Sequence, residues 1–172
     1  MKIAVFGYSG SGKSTLSAYL GNIYNLPVLH LDRVHWLPGW KERELSEEIS
    51  IVRDFIDSNN RWIIDGNYAK LLFEERMELA DSIIFMDFSA LSCLRRAFAR
   101  YLRYKGKTRD SITVGCDEKF DLEFVLWLLF YGRTKRRKQR YRQVVSKYPE
   151  KIEIISNQKQ LDKFMKSIAE HN

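Results

Sequence analysis

Close to the N-terminus, glycines, hydroxyls and one lysine stand at a spacing suited to gripping an anion. Gly7-Tyr8-Ser9-Gly10-Ser11-Gly12-Lys13-Ser14 satisfies the pattern G-x-x-x-x-G-K-[ST], with Thr15 next in line. Glycines let the backbone wrap closely with its N–H groups turned inward, and a helix starting at the end of the loop adds its positive pole. Phosphate oxygens meet a preformed cup. Lys13 can then reach the β and γ phosphates of a nucleoside triphosphate, while the Ser14 hydroxyl is offered to Mg²⁺. The expected ligands are therefore ATP and Mg²⁺. Gly7, Ser9, Gly10, Ser11, Gly12, Lys13, Ser14 and Thr15 bind the nucleotide on this reading, with Ser14 on the metal.

Phosphoryl transfer also calls for a carboxylate beside the metal, at the end of a strand neighbouring the loop strand. Two residues fit: Asp65 closes Trp62-Ile63-Ile64 and precedes Gly66, and Asp87 follows Ile83-Ile84-Phe85-Met86. Asp65 is preferred as the second metal-side residue because Gly66 permits close backbone approach, although either could instead cap a turn. Asp32, after the apolar run from Pro27 to Leu31, is placed to draw a proton from an acceptor hydroxyl, and capping competes with that role too. Beyond it, Trp36 and Trp40 flank a Pro38-Gly39 turn. They form either an aromatic wall for a ring or sugar or a flap packed on the domain. His35 has no companion of metal-binding type, and no catalytic role is assigned to it.

Arg96, Arg100 and Arg103 fall at i, i+4 and i+7 on one helix face, with Arg95 beside them and Arg109 beyond a glycine-containing turn. Guanidinium forks match phosphate oxygens and keep their charge. Arg96, Arg100 and Arg109 are thus candidates to stabilise the transferring group, alongside Lys13, Asp32 and Asp65; a solvated basic helix is the alternative. A second run, Arg133 to Arg142, holds seven basic residues in ten with no accompanying motif. It leaves open a solvated face, a second phosphate ligand, or a non-specific, salt-sensitive contact with DNA or RNA. From Arg95 to Arg142 there are 15 Lys and Arg against 5 Asp and Glu, so the net charge of +7 belongs to one segment.

These residues need a frame. Lys2 to Phe6 is an apolar run closed by Gly7, and Leu16, Tyr19, Leu20 and Ile23 repeat at helical spacing, which predicts strand, loop, helix. Further strands are expected at Pro27 to Leu31, Arg61 to Ile64, Ser82 to Phe88 and Lys151 to Ile155. Helices are expected on Leu45 to Ile56, Leu91 to Tyr104 and Leu161 to Ile168. Such alternation argues for an α/β protein with a parallel sheet covered on both faces. The polar stretch Lys105 to Lys119 reads as a lid, loose until phosphate neutralises its arginines.

At 172 residues, with 45% hydrophobic residues and no linker or repeat, a single domain over 1–172 with its lid at about 105–120 is expected. The longest apolar run, Phe124 to Tyr131, is far short of the roughly 20 residues a membrane span needs. Met1-Lys2 leads straight into the first strand, so no signal segment is expected and the compartment read from this is the cytoplasm. Cys93 and Cys116 lack paired spacing and read as buried free thiols.

Taken together, Gly7 to Thr15, Leu31-Asp32 with Trp36-Leu37-Pro38-Gly39-Trp40, Trp62-Ile63-Ile64-Asp65-Gly66-Asn67-Tyr68, and Arg100 to Arg109 leading into Gly115-Cys116-Asp117-Glu118-Lys119 cover most of the chain. They resemble the P-loop kinases related to adenylate kinase and, more closely, the bacterial topology modulation (FlaR-like) family. The resemblance implies a three-layer P-loop NTPase fold with a five-stranded parallel sheet in order 2-3-1-4-5, an Arg-rich lid, and ATP with Mg²⁺. It also implies that Asp65 lies on the strand beside the loop strand. One departure stands out: adenylate kinases typically follow Asp-Gly with Phe-Pro-Arg, where this chain has Asn67-Tyr68-Ala69, so an arginine for an acceptor phosphate is missing there.

The function expected is ATP-dependent phosphoryl transfer to a small molecule of nucleoside or nucleotide type. The alternative is an ATP-binding, nucleic-acid-associated protein that modulates DNA topology. Asp32 to Asn60 carries four Lys and Arg against seven Asp and Glu, which favours a neutral or cationic hydroxyl- or amine-bearing acceptor over a monophosphate.

Overall fold

The computed structural model describes residues 1–106, 108, 109 and 111–170. In chain order it contains β1 (Lys2–Gly7), α1 (Lys13–Tyr24), β2 (Val28–His30), α2 (Leu31–His35), β3 (Trp36–Leu37), β4 (Lys41–Glu42), α3 (Leu45–Ser58) and β5 (Trp62–Asp65). There follow α4 (Phe73–Leu79), β6 (Ser82–Met86), α5 (Ala90–Tyr104), α6 (Leu122–Leu129), a 3₁₀ turn at Tyr131–Arg133, α7 (Lys135–Lys147), β7 (Ile152–Ile155) and α8 (Gln158–Glu170).

Five strands form one parallel sheet in the order β2-β5-β1-β6-β7. The short antiparallel hairpin β3–β4 shifts the labels; the five sheet strands counted alone run 2-3-1-4-5. The three central strands are apolar without alternation, as burial on both faces demands: Ile3 to Phe6, Trp62 to Ile64 and Ile83 to Met86 are all buried. The edges are less covered, with β2 half-buried throughout and Ile154 of β7 39% exposed. Phe6 stacks on Phe85 at 4.7 Å, meets Phe73 of α4 edge-on at 5.9 Å and Tyr141 of α7 at 5.3 Å. Burying one such ring contributes about 2–3 kcal/mol.

Two of these helices carry no signal in the sequence reading. In α4 and α7 the apolar face is thin; only Tyr141 and Val144 of α7 are buried, and the charge run hides that stripe. Asp32 lies in the first turn of α2, where the helix dipole favours a carboxylate, rather than at a strand end. Among the described residues no helix is long and apolar enough to cross a membrane.

The strand order reverses at β1, and ligands of open α/β sheets bind at such a point, outside the carboxyl ends of the strands. The register brings His30, Asp65 and Gly7 to that edge, with Asp65 opposite Val5 on one side and His30 on the other.

Candidate active site

The loop from Gly7 to Ser14 occupies this edge. Gly7 has φ 136°, and a Cβ there would run into the Met86 backbone, so no other residue fits. From the opposite side Asn67 clamps it: the Gly7 N–H donates to Asn67 Oδ1 at 2.8 Å, and Asn67 Nδ2 donates to the Gly7 carbonyl. The Ser11 N–H donates to the Tyr8 carbonyl at 3.2 Å and closes the turn. Helix α1 starts at Lys13 with no acidic residue in its first turn and no side-chain cap, so its positive pole adjoins the loop.

Two observations test whether this cup fits a phosphate. Ser11 Oγ is fully buried without a hydrogen-bond partner among the described residues, and leaving such a group unpaired costs about 1–3 kcal/mol. Lys13 Nζ donates to the Tyr8 carbonyl at 3.1 Å, and burial pulls its pKa below the ordinary value against the opposing pull of the Asp65 and Asp32 carboxylates. An anion would satisfy both groups. Ser14 is half-buried and Thr15 exposed at the helix start. Among the described residues no three His, Cys, Asp or Glu side chains group to hold a metal by themselves. A magnesium ion here would rely on Ser14, one carboxylate and the nucleotide's own oxygens, the usual mode for this ion.

Asp65 is 2% exposed, and one of its oxygens lies 2.7 Å from His30 Nδ1. His30 was not singled out in the sequence, because only the pairing of β2 with β5 reveals it as Asp65's neighbour. Asp87 faces another way: burial raises its pKa while Arg133 and Lys138 oppose the rise. The carboxylates whose charge Lys13 feels are Asp65 and Asp32. Asp32 accepts a hydrogen bond from Tyr68 Oη at 2.9 Å and lies 3.5 Å from Arg109 Nη2. Burial, reinforced by Asp32, raises the Tyr68 pKa, so its hydroxyl stays a donor.

The arginines divide. Arg96 lies against Gly12, sits 4.8 Å over the Phe88 ring and donates to Gln158. Arg100 donates to Glu118 Oε1 from Nε at 2.6 Å, and Arg109 Nε lies 3.3 Å from Glu118 Oε2. Arg95 and Arg103 are exposed, the latter on the last turn of α5. In the second basic run Arg133 stacks 3.7 Å from the Tyr8 ring and donates to the Phe88 carbonyl at 2.8 Å. Arg137 lies over Trp127, whose Nε1 donates to Ser9 Oγ at 3.3 Å. These two arginines brace the loop; Lys135, Arg136, Lys138 and Arg142 are exposed on α7.

The 105–120 segment, of which Lys107 and Asp110 lie outside the described residues, is docked on the β3–β4 hairpin. Gly39 N–H donates to the Gly115 carbonyl at 3.0 Å, Cys116 Sγ to the Leu37 carbonyl at 3.2 Å, and Thr113 Oγ1 to the Arg33 carbonyl at 3.2 Å. The premise of a segment loosened by uncompensated arginines does not hold, since Glu118 and Asp32 supply the counter-charge. Trp36 and Trp40 meet edge to face at 5.4 Å, with Lys119 over Trp40, which makes them a packed flap. His35 bonds buried Glu48 at 2.7 Å and borders a cavity of about 200 Å³ shared with Tyr68 and Leu71. A larger hollow, about 570 Å³, lies along α7 near Glu74 and Tyr148, away from the loop. Cys93 and Cys116 are both buried and free.

No family model and no curated protein matches the chain. Its likeness to solved structures is one of fold. A deoxyadenosine kinase from M. mycoides with bound dATP matches with a TM-score of 0.58 at 15% identity, over 98% of this chain and 100% of that one. The M. mycoides deoxyadenosine kinase with products dCMP and a flexible dCDP gives 0.51 at 15% identity, over 99% and 100%. TT1252 from Thermus thermophilus gives 0.56 at 15% identity, over 99% and 97%. The chain has the α/β fold of the P-loop kinases, five parallel strands flanked by helices.

Proposed function

We propose that the chain is an ATP-dependent kinase that phosphorylates a small molecule. The observation that carries this reading is the glycine loop at the carboxyl edge of the sheet, with Lys13 Nζ turned onto the Tyr8 carbonyl at 3.1 Å and buried Ser11 Oγ unpartnered among the described residues. The nucleoside kinase fold adds support for an acceptor of nucleoside type.

MgATP, when bound, supplies the phosphoryl group to be moved. The loop N–H groups and Lys13 hold phosphate oxygens, and Thr15 and Ser9 line the same turn. Ser14 and Asp65 take the metal side, with His30 orienting the Asp65 carboxylate. Arg96, Arg100 and Arg109 bring fixed positive charge to the phosphates. Asp32 accepts the acceptor's hydroxyl proton, held in place by Tyr68 and Arg109, and the freed oxygen is the nucleophile. The acidic balance from Asp32 to Asn60 and the buried Glu48 favour a neutral or cationic acceptor over a monophosphate.

A nucleic-acid role gains nothing from the second basic run, because Arg133 and Arg137 turn to Tyr8 and Trp127 and break the outward stripe. We propose kinship with the topology modulation family on the chain's motifs, two of which, around Leu37 and Cys116, touch. An ATP-consumption screen over nucleosides, nucleotides and sugars tests the reading. ADP release stimulated by a neutral hydroxyl-bearing compound is expected, and absent from Lys13→Ala. ATP binding with no acceptor-stimulated release from any of them contradicts it.

A further inference from the structure

The motif Gly115-Cys116-Asp117-Glu118-Lys119 contains a carboxylate for which phosphate binding alone has no use. Its neighbours Asp117 and Lys119 are exposed, yet Glu118 is only 8% exposed. Oε1 takes both Nε and Nη2 of Arg100, at 2.6 and 2.5 Å, while Oε2 lies 3.3 Å from Nε of Arg109. The two guanidiniums repel: after burial, the charge of Arg109 is the next largest influence lowering the Arg100 pKa, and Glu118 opposes it.

The geometry at Arg109 is directional. Glu118 forms an ion pair with it at 3.3 Å from Nε without a hydrogen bond to that atom, whereas its Nη2 lies 3.5 Å from Asp32, and its charge reaches Lys13. Its two ends thus face different carboxylates, Glu118 at Nε and Asp32 at Nη2. Glu118 is itself fixed, since Cys116 and Gly115 on its N-terminal side bond to the hairpin.

We propose that Glu118 is a positioning residue that binds Arg100 and Arg109 into one preorganised fork for the γ-phosphate end of the nucleotide. Glu118 and Asp32 balance the two guanidiniums, so the pair is held in place before the ligand arrives. The proposal rests on the kinase reading above and adds to it a residue that touches neither nucleotide nor acceptor.

Titration calorimetry with MgATP and MgADP, with a thermal melt of each protein alongside, tests it. Glu118→Gln keeps the shape and removes the charge. It is expected to lower MgATP affinity about 10-fold and leave MgADP affinity unchanged, because ADP lacks the phosphate that the fork receives. Glu118→Asp, which keeps the charge one methylene shorter, recovers part of the loss, and if the Gln variant does not fold it decides the matter by the same ATP-against-ADP comparison. MgATP binding in Glu118→Gln equal to or tighter than wild type overturns the proposal; tighter binding would make Glu118 a competitor of phosphate. Equal losses for MgATP and MgADP, together with a lowered melting temperature, also overturn it, as the mark of a purely structural role. A wild-type protein that binds no MgATP fails the kinase reading first, and the role of Glu118 falls with it.

Discussion

The phosphate loop and the 105–120 segment meet at Asp32, but the balance of what holds them differs. Backbone fixes the loop: Gly7 sits between the Met86 backbone and the Asn67 amide, and buried Leu16 and Leu20 anchor the helix that follows. The segment shares a backbone bond with the hairpin, Gly39 N–H to the Gly115 carbonyl, but most of its grip is through side chains, with Glu118 on two arginines, Thr113 on Arg33 and Cys116 on Leu37. A grip made of backbone is indifferent to charge, whereas one made of ion pairs answers to any charge that enters. The loop is thus the fixed part of the candidate site, and the segment the part whose contacts an incoming charge would disturb.

The same substitution made in both regions gives the largest expected effect. Gly7→Ala forces a Cβ into the Met86 backbone at φ 136° and should lower stability by about 3 kcal/mol or more, read by urea unfolding. Gly39→Ala, in the hairpin beneath the segment, meets open space at φ 76° and should cost only about 1 kcal/mol. Equal costs would erase the distinction between the two regions.

Asp32, where the regions meet, comes next. Asp32→Asn should reduce turnover of the acceptor found by screening about 10²-fold while MgATP affinity stays nearly unchanged, as for loss of a general base. Undiminished turnover removes Asp32 from the chemistry and leaves it a tether for Arg109. The smallest effect concerns Lys13. Burial lowers its pKa in the free protein, and phosphate must raise it again, so MgATP binding in alkaline buffer below pH 10.5 should take up a fraction of a proton. Calorimetry in buffers of different ionisation enthalpy reads this directly. Proton release would mean that phosphate does not approach the ammonium.

The same contrast decides what was legible in the sequence. The loop was, because its chemistry is local: eight consecutive residues between an apolar run and a helical repeat state both the anion site and its scaffold. The sheet followed from apolar runs of strand length. Asp65 could be ranked above Asp87 from the glycine after it, and the structure pairs it with His30. Residues acting across long separations were not legible. Asn67 was noticed only within a motif and as the first residue of the departure from Phe-Pro-Arg, yet it clamps Gly7 sixty positions away. His30 needed the β2–β5 pairing, and Glu118 needed two arginines from different elements. Arg133 and Arg137 look like solvated charge in a run of seven, and only the Tyr8 and Trp127 rings show that they brace the loop.

Whether Lys13 holds the nucleotide is decided by one titration, MgATP into wild type and into Lys13→Ala at the same pH and salt, with a melt to verify folding. The loop as described predicts saturable binding to wild type and a loss of about 10- to 100-fold in affinity for the variant, since Lys13 is the charged residue of the loop sequence Gly7 to Ser14. Equal affinity in the two proteins would contradict it.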